Sequence, residues 1–180
     1  MFTTDRLVLR AYTTADLPSI LAIANNPLVQ RTLIDEHVVP RSERFAIKLE
    51  EIANEALLYV VLEAVGSPGI VIGAASLAVG SVKNRDVNLG IGLIPDVWNK
   101  GYGAEATRFL VDYAFKDLGV HRVSLGVLEN NQGAFEMYKK VGFVEEGRRR
   151  QANWLDGKWH DSILMGIVAD EWLQRSPSQA

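Results

Sequence analysis

Apolar residues change their spacing several times along the chain, and each change marks an element. Leu7, Leu9 and Ala11 alternate with Arg6, Val8 and Arg10, the period of two expected of a half-buried strand. Thr13 or Thr14 then offers an N-cap to a helix whose face is Leu17, Ile20, Leu21 and Ala24, and Asn25-Asn26-Pro27 ends it. Residues 28–37 are weakly patterned. Helical spacing returns over 41–56, with Phe45, Leu49, Ile52 and Ala56 on one side and charges opposite. Two β-rich runs, 57–63 and 70–79, flank the hairpin signal Gly66-Ser67-Pro68-Gly69. A third strand starts near Asp86, after the polar turn Lys83-Asn84-Arg85, and stops at Ile94 because Pro95 lacks a ladder donor. Next, Ala106, Phe109, Leu110, Tyr113 and Ala114 fall at i, i+3, i+4, i+7 and i+8, one buried helical face. A strand at 122–127, a helix at 131–141 and strands at 144–155 and 158–168, joined by the turn signal Asp156-Gly157, complete the chain. The order β-α-α-β-β-β-α-β-α-β-β predicts an α/β (α+β) fold, a mixed sheet with helices on both faces.

Charge and composition narrow what such a fold does. At 180 residues the chain fits one domain, 1–180, large enough to bury a core without staples. It has no cysteine, which excludes disulfides, thiolate zinc sites and a cysteine nucleophile, and no metal is expected. A net charge of −3 gives no general field for nucleic acid or an anionic membrane, so a cationic partner suits it better. No run of 18 apolar residues occurs and the N-terminus has charges among its apolar residues, so the expectation is a soluble, cytoplasmic protein. Residues 176–180 read as a frayed tail.

The chemistry gathers at Lys100-Gly101-Tyr102-Gly103-Ala104, between the third strand and its helix. Two glycines let main chain approach a ligand closely, and the unpaired N–H groups of a first helical turn favour a phosphate. A tight turn with a solvated lysine is the plainer reading. Gly101, Gly103 and Ala106 also satisfy G-x-G-x-x-A, with Glu129 downstream, a dinucleotide fingerprint. Residues 95–100 separate that fingerprint from its strand and only one further helix follows, which ranks the dinucleotide reading low.

A second motif, Asn131-x-x-Ala134-x-x-x-Tyr138-x-Lys140-x-Gly142-Phe143, follows the strand at 122–127. Joined to the glycine turn, to Thr4-Asp5-Arg6-Leu7-x-Leu9-Arg10 and to Asp156-Gly157-Lys158-Trp159-x-Asp161, it resembles the GNAT acyl-CoA-dependent N-acetyltransferases, and among them the RimJ/RimL ribosomal-protein branch. The resemblance covers nearly the whole chain. It implies a GNAT fold with a mixed sheet of about seven strands, in which the strand ending at Ile94 splays from 122–127 to admit a pantetheine arm. It also implies acetyl-CoA as cosubstrate, a protein N-terminus or small amine as acceptor, direct transfer in a ternary complex, and a monomer or homodimer. The main chain of Lys100, Gly101, Tyr102, Gly103 and Ala104 would cradle the pyrophosphate. Gly92, Leu93 and Ile94 would be the rail for the arm, one N–H polarising the thioester carbonyl.

Other residues carry roles by the same resemblance, each with an alternative. Asn131 contacts pantetheine or caps its helix. Ala134 stands where relatives often carry serine. Lys140, with Lys139, reaches the 3′-phosphate or is simply solvated. Tyr138 is the general acid for the departing thiolate, or ordinary core on one face with Ala134 and Val141. Asn88 is a departure, since relatives often place a glutamate base there; Asp86, two residues earlier on the same face, would serve through a longer water path. His37, His121 and His160 are further candidates for the base. Arg148-Arg149-Arg150 reads as solvated surface. Trp154 and Trp159 should pair across the turn, as hairpin stabiliser or as the floor of a substrate opening. In relatives, 29–39 and 154–159 border the acceptor cleft, and Asp35, Glu36 and His37 make the first of these acidic enough for an amine. Two rivals remain: a non-catalytic acyl-CoA-binding protein and a dinucleotide-dependent oxidoreductase.

Overall fold

A computed structural model describes residues 1–34 and 36–174. The alternating segments pair into one sheet of eight strands: β1 (Phe2–Thr3), β2 (Leu7–Ala11), β3 (Leu58–Ala64), β4 (Val71–Ser81), β5 (Asp86–Leu93), β6 (Arg122–Leu128), β7 (Val144–Leu155) and β8 (Lys158–Val168). Their spatial order is β1-β2-β3-β4-β5-β6-β8-β7. Neighbours run antiparallel except β5 and β6, which are parallel. The helices are α1 (Leu17–Asn25), α2 (Pro27–Gln30), α3 (Phe45–Glu55), α4 (Tyr102–Lys116), α5 (Gln132–Val141) and α6 (Ala169–Leu173). The sequence pattern misses β1, α2 and α6, each too short to show a period. At α2 the Asn25-Asn26-Pro27 stop is also a start, because Asn26 accepts the Leu28 N–H and Pro27 occupies the first helical position. The predicted frayed tail, 176–180, lies outside the described residues.

The core lies between the sheet and α4 and α5. Val60, Leu62, Leu77, Val87, Leu89, Val123, Leu125, Ile163, Met165 and Ile167 meet Ala106, Leu110 and Ala114 of α4 and Phe135, Tyr138 and Val141 of α5. Val61 is also fully buried but points the other way by strand alternation, toward the face where α1 packs on β4. Arg10 ties these layers together. Its guanidinium donates to Asp16 at 2.6 and 2.8 Å and to Glu63 at 2.7 Å, and Glu63 also accepts the Gly69 N–H of the β3–β4 turn. Asp16 accepts the N–H and hydroxyl of the N-cap Thr13, and its bonds to Arg10 outweigh burial and hold its carboxyl down at about 2.

The predicted face of α3 is shifted. Phe45, Leu49 and Ala56 are half-buried as expected, but Ile52 is 43% exposed and Ala53 is turned inward instead. At 100° per residue Ile52 sits at the rim of the stripe that Phe45, Leu49 and Ala53 define.

The decisive feature is where the sheet divides. β5 and β6 pair only from Asp86–Asn88 against Arg122–Ser124, although β5 runs on to Leu93 and β6 to Leu128. Past Asn88 each strand keeps only its outer neighbour, β4 for β5 and β8 for β6.

Candidate active site

The parting strands open a cleft of about 690 Å³. Leu89 to Leu93 form one side, Gly126 and Val127 the other, and the glycine turn and α5 close one end. Residues from the segment after α1, namely Val29, Thr32, Leu33 and Ile34, close the opposite end.

Strand parity decides which main-chain groups face this cleft. The Ile94 N–H donates to the Ile72 carbonyl at 2.9 Å, on the β4 side. Alternation then sends Gly92 toward β4 as well, and points Ile91 and Leu93 at the opening. Of the predicted rail of Gly92, Leu93 and Ile94, Leu93 therefore faces the opening while Gly92 and Ile94 face β4, and Ile91 is the other residue with an outward N–H. The outward Leu93 carbonyl accepts the Trp98 indole N–H at 2.9 Å, which folds the loop after β5 back along the strand.

At the turn, Gly101 has φ 87° and is the N-cap of α4, a conformation that disfavours any other residue. Gly101, Gly103 and Ala104 line the cleft, whereas the Lys100 side chain and Tyr102 do not. Lys100 is exposed, and Tyr102 packs on the core beneath the Arg6 guanidinium, 5.0 Å from its ring centre. A Cβ at Gly103 would meet only Leu93 Cδ1 at 3.5 Å and Met137 Cε at 3.9 Å, so alanine would fit, while branches would extend into the cleft. Glu105 sits in the first turn of α4. Burial disfavours its charge, but the Thr4 hydroxyl, the Arg6 amide and the Arg6 guanidinium outweigh this and hold its carboxyl below the ordinary range.

The second motif is also brought to the cleft. Asn131 caps α5, its side-chain oxygen accepting the Ala134 N–H at 3.3 Å, and it lines the cleft too, so the two predicted roles coexist geometrically. Ala134 and Tyr138, one turn apart on α5, line it, as does Lys140 near the end of that helix. Tyr138 is 8% exposed, packs edge-on to Phe143 at 5.6 Å and belongs to the core cluster, and burial pushes its phenol up to about 12. Such a phenol keeps its proton throughout the neutral range.

The candidate bases are not assembled there. Asn88 is exposed and lies against Gly80 of β4 rather than lining the cleft. Asp86 accepts the Ser124 hydroxyl at 2.9 Å, in a chain that continues through Arg122 to Glu146, and it too is outside the cleft wall. His37 and His121 are exposed, and His160 is buried beside Glu129, Nδ1 to carboxylate 3.3 Å. Arg148, Arg149 and Arg150 are exposed as expected.

Of the two segments expected to border an acceptor, only Val29, Thr32, Leu33 and Ile34 line the cleft, and none of residues 154–159 does. Residues 29–34 reach the β7–β8 hairpin through an Arg31–Asp156 ion pair at 3.0 Å, and Ile34 lies over Gly126, its Cδ1 2.8 Å from where a Cβ would stand. Glu36 does not line the cleft. Its carboxylate is held by Arg41 at 3.3 Å and Lys48 at 3.1 Å, which overturns its place as a free acidic group; Asp35 lies outside the described residues. Trp154 and Trp159 pair across the turn with ring centres 5.2 Å apart, more than half exposed and outside the cleft wall, so they stabilise the hairpin. Sequence reasoning missed Trp98, Asn99 and Arg108 in the wall. Arg108 was within reach, because it lies one helical turn after Ala104 on the same face. Among the described residues no cluster suited to a metal ion occurs, and no helix is long and apolar enough to cross a membrane.

A divided mixed sheet with a glycine turn and two helices at the split suits a thioester with a long polar arm. The sequence model of the acetyltransferase (GNAT) domain matches residues 6–144, and the chain belongs to that family. It is thus an N-acetyltransferase that uses acetyl-CoA, and the non-catalytic and dinucleotide readings fall; a doubly wound dinucleotide fold would need a mostly parallel sheet, and here only β5 and β6 run parallel. The chain is 29% identical to the uncharacterized N-acetyltransferase YoaA of Bacillus subtilis over 172 residues, 92% of this chain and 94% of that one. It is 28% identical to a spermidine N(1)-acetyltransferase of Vibrio cholerae, over 96% and 98% of the two chains. The crystal structure of a Vibrio cholerae spermidine N-acetyltransferase in complex with CoA and spermine matches with a TM-score of 0.80 at 26% identity, covering 95% of this chain and all of that one.

Proposed function

We propose that the enzyme acetylates a primary amine carrying no second positive charge nearby, a protein N-terminal α-amine or a small monoamine, by direct attack on acetyl-CoA in a ternary complex. The observation behind this is the composition of the cleft wall. Its acceptor end is Val29, Thr32, Leu33, Ile34, Leu89 and Val127, and among the described residues of the wall the only carboxylate is Glu136, one turn from Lys140 on α5. A polyamine would bring several cations to an end of the wall that offers no carboxylate among its described residues, and each one buried there would cost several kcal/mol. The relatives from Vibrio cholerae and Escherichia coli that bear the name spermidine N(1)-acetyltransferase favour the opposite reading, an acceptor with several charges.

In this mechanism the pyrophosphate lies on the main chain at Gly101 to Ala104 and the arm pairs in β fashion with Ile91 and Leu93, one of whose N–H groups polarises the thioester carbonyl. The acceptor attacks as free amine. Tyr138 then protonates the departing thiolate, the proton lost by the attacking nitrogen returns through water to the Tyr138 phenolate, and Asn131, Arg108 and Lys140 hold the cofactor. With neither Asn88 nor Asp86 as a base in the wall, the fraction of acceptor already deprotonated limits the rate. An α-amine near pKa 8 supplies roughly two orders of magnitude more free amine at neutral pH than a lysine-like amine near 10.4. By the same reading the chain acts as one cytoplasmic RimJ/RimL-like domain, monomeric or dimeric; a Vibrio cholerae relative is dodecameric, so sizing in solution decides the assembly.

Thiol release from acetyl-CoA, measured across N-terminal peptides, small monoamines, spermidine and spermine, tests the acceptor class. The expected result is a higher kcat/KM for singly charged amines. Preference for spermidine or spermine would sink the proposal.

A further inference from the structure

The Thr4-Asp5-Arg6-Leu7 segment stands out in the sequence, yet none of its residues lines the cleft. Its side chains instead converge on the outside of the glycine turn. Arg6 Nη1 donates to the Lys100 carbonyl at 2.8 Å, and Arg6 Nε donates to Glu105 Oε2 at 2.7 Å. Glu105 Oε1 accepts the Arg6 backbone N–H at 2.8 Å and the Thr4 hydroxyl at 2.6 Å. The two oxygens of one carboxylate and one guanidinium thus join the loop before β2 to both sides of the turn.

We propose that Arg6, held by Glu105, is the positioning residue of the phosphate turn: it fixes the Lys100–Gly101 peptide so that its N–H is presented to the cofactor's pyrophosphate. Peptide planarity supplies the mechanism. In a trans peptide the C=O and N–H point in opposite directions, so anchoring the Lys100 oxygen on Arg6 aims the Gly101 N–H away from Arg6. Gly101 and Gly103 both line the cleft. Gly101 suits this clamp for a second reason beside its positive φ, since a Cβ there would stand 2.9 Å from Arg6 Nη2.

Charge supports the same assignment. Glu105 is an anion in the first turn of α4, where the helix dipole welcomes it but a pyrophosphate would be repelled. Arg6 neutralises it on the side away from the cleft. Arg6 then acts on the cofactor only through main chain and through Glu105, so it binds no substrate atom itself.

The inference rests on the pyrophosphate lying at this turn, and the test separates the two claims. The donors compared are acetyl-CoA and S-acetylpantetheine, which has the thioester and arm but no pyrophosphate. Arg6→Ala should raise KM for acetyl-CoA by about tenfold or more, the loss of one to two charge-assisted hydrogen bonds, with kcat at saturation and KM for S-acetylpantetheine unchanged. Arg6→Lys keeps the charge beside Glu105 but cannot reach the Lys100 carbonyl at the same time. It should fold like the wild type and show a smaller effect of the same kind. An equal loss with both donors, or no loss with either, would overturn the clamp. Gly103→Val checks the underlying reading: if it leaves KM for acetyl-CoA unchanged, the pyrophosphate is not at the turn, and if it raises that KM while both Arg6 variants are silent, only the clamp is wrong.

Discussion

The cleft is made differently at its two ends. The end proposed for the cofactor is main chain: the turn from Gly101 to Ala104, contiguous in sequence, and the outward edge of β5 at Ile91 and Leu93. The end proposed for the acceptor is side chain, with Ile34 leaning over Gly126 and a half-exposed Arg31–Asp156 pair joining segments from opposite parts of the sequence. Main chain presents the same N–H groups whatever side chains surround it, so one cosubstrate can be kept while neighbouring residues change. Side-chain walls change with every substitution. The difference explains how a family can share a cofactor and diverge in acceptors, and why likeness to a spermidine enzyme does not carry spermidine with it.

Substitutions can break this division, and the largest effect should come where the ends meet. Tyr138→Phe should lower kcat by about 10²–10⁴-fold with little change in acetyl-CoA affinity, the usual contribution of a positioned proton donor. Full kcat in the variant, with chemistry shown to be rate-limiting, would return Tyr138 to the core alone. Because burial raises this phenol to about 12, the wild-type rate should climb with pH through the acceptor's pKa and show no fall from phenol ionisation until pH approaches that value. A falling limb near 10 would mean an ordinary, solvated phenol or a different acid.

Gly103→Val comes next. Its branches should block the approach to the first-turn N–H groups and weaken CoA binding by about 100-fold, roughly two charge-assisted hydrogen bonds, whereas Lys100→Ala should cost less than about threefold because it removes one exposed, screened charge. Calorimetric titration with CoA measures both; equal effects would make the cofactor end a side-chain site after all. At the other end, Arg31→Ala should change acceptor KM by at most about fivefold and leave acetyl-CoA KM alone, as an exposed pair is worth no more than about 1 kcal/mol. A change in acetyl-CoA KM would erase the distinction between the ends. The smallest effect is expected of Asn88→Glu, which should leave the rising limb of the pH–rate profile where it is, since Asn88 lies against Gly80 and not in the wall. A shift to lower pH would place that position in the proton path.

What the sequence revealed follows the same division. The glycine turn, the cap at Asn131 and the helical stripe through Ala134 and Tyr138 are local patterns, and all line the cleft. Tertiary contacts were beyond it. Glu36 reads as a free acid until Arg41 and Lys48 are seen to hold it, and Trp98 reads as a loop residue until its indole meets the Leu93 carbonyl. The rail shows the finest limit. The pattern places β5 correctly, but which alternate residues turn outward depends on pairing with β4, which leaves Leu93 facing the opening, turns Gly92 and Ile94 to β4 and adds Ile91.

The divided sheet also has a consequence for isotope exchange. Between Leu89 and Leu93 the strand keeps ladder bonds on its β4 side only, so the Gly92 and Ile94 amides should exchange slowly with deuterium whether or not cofactor is present. The Ile91 and Leu93 amides should exchange quickly in the free enzyme and become protected when CoA fills the gap as a borrowed strand. Protection that alternates residue by residue in the free enzyme, and becomes continuous along the strand when CoA binds, would show the cofactor's arm acting as part of the sheet.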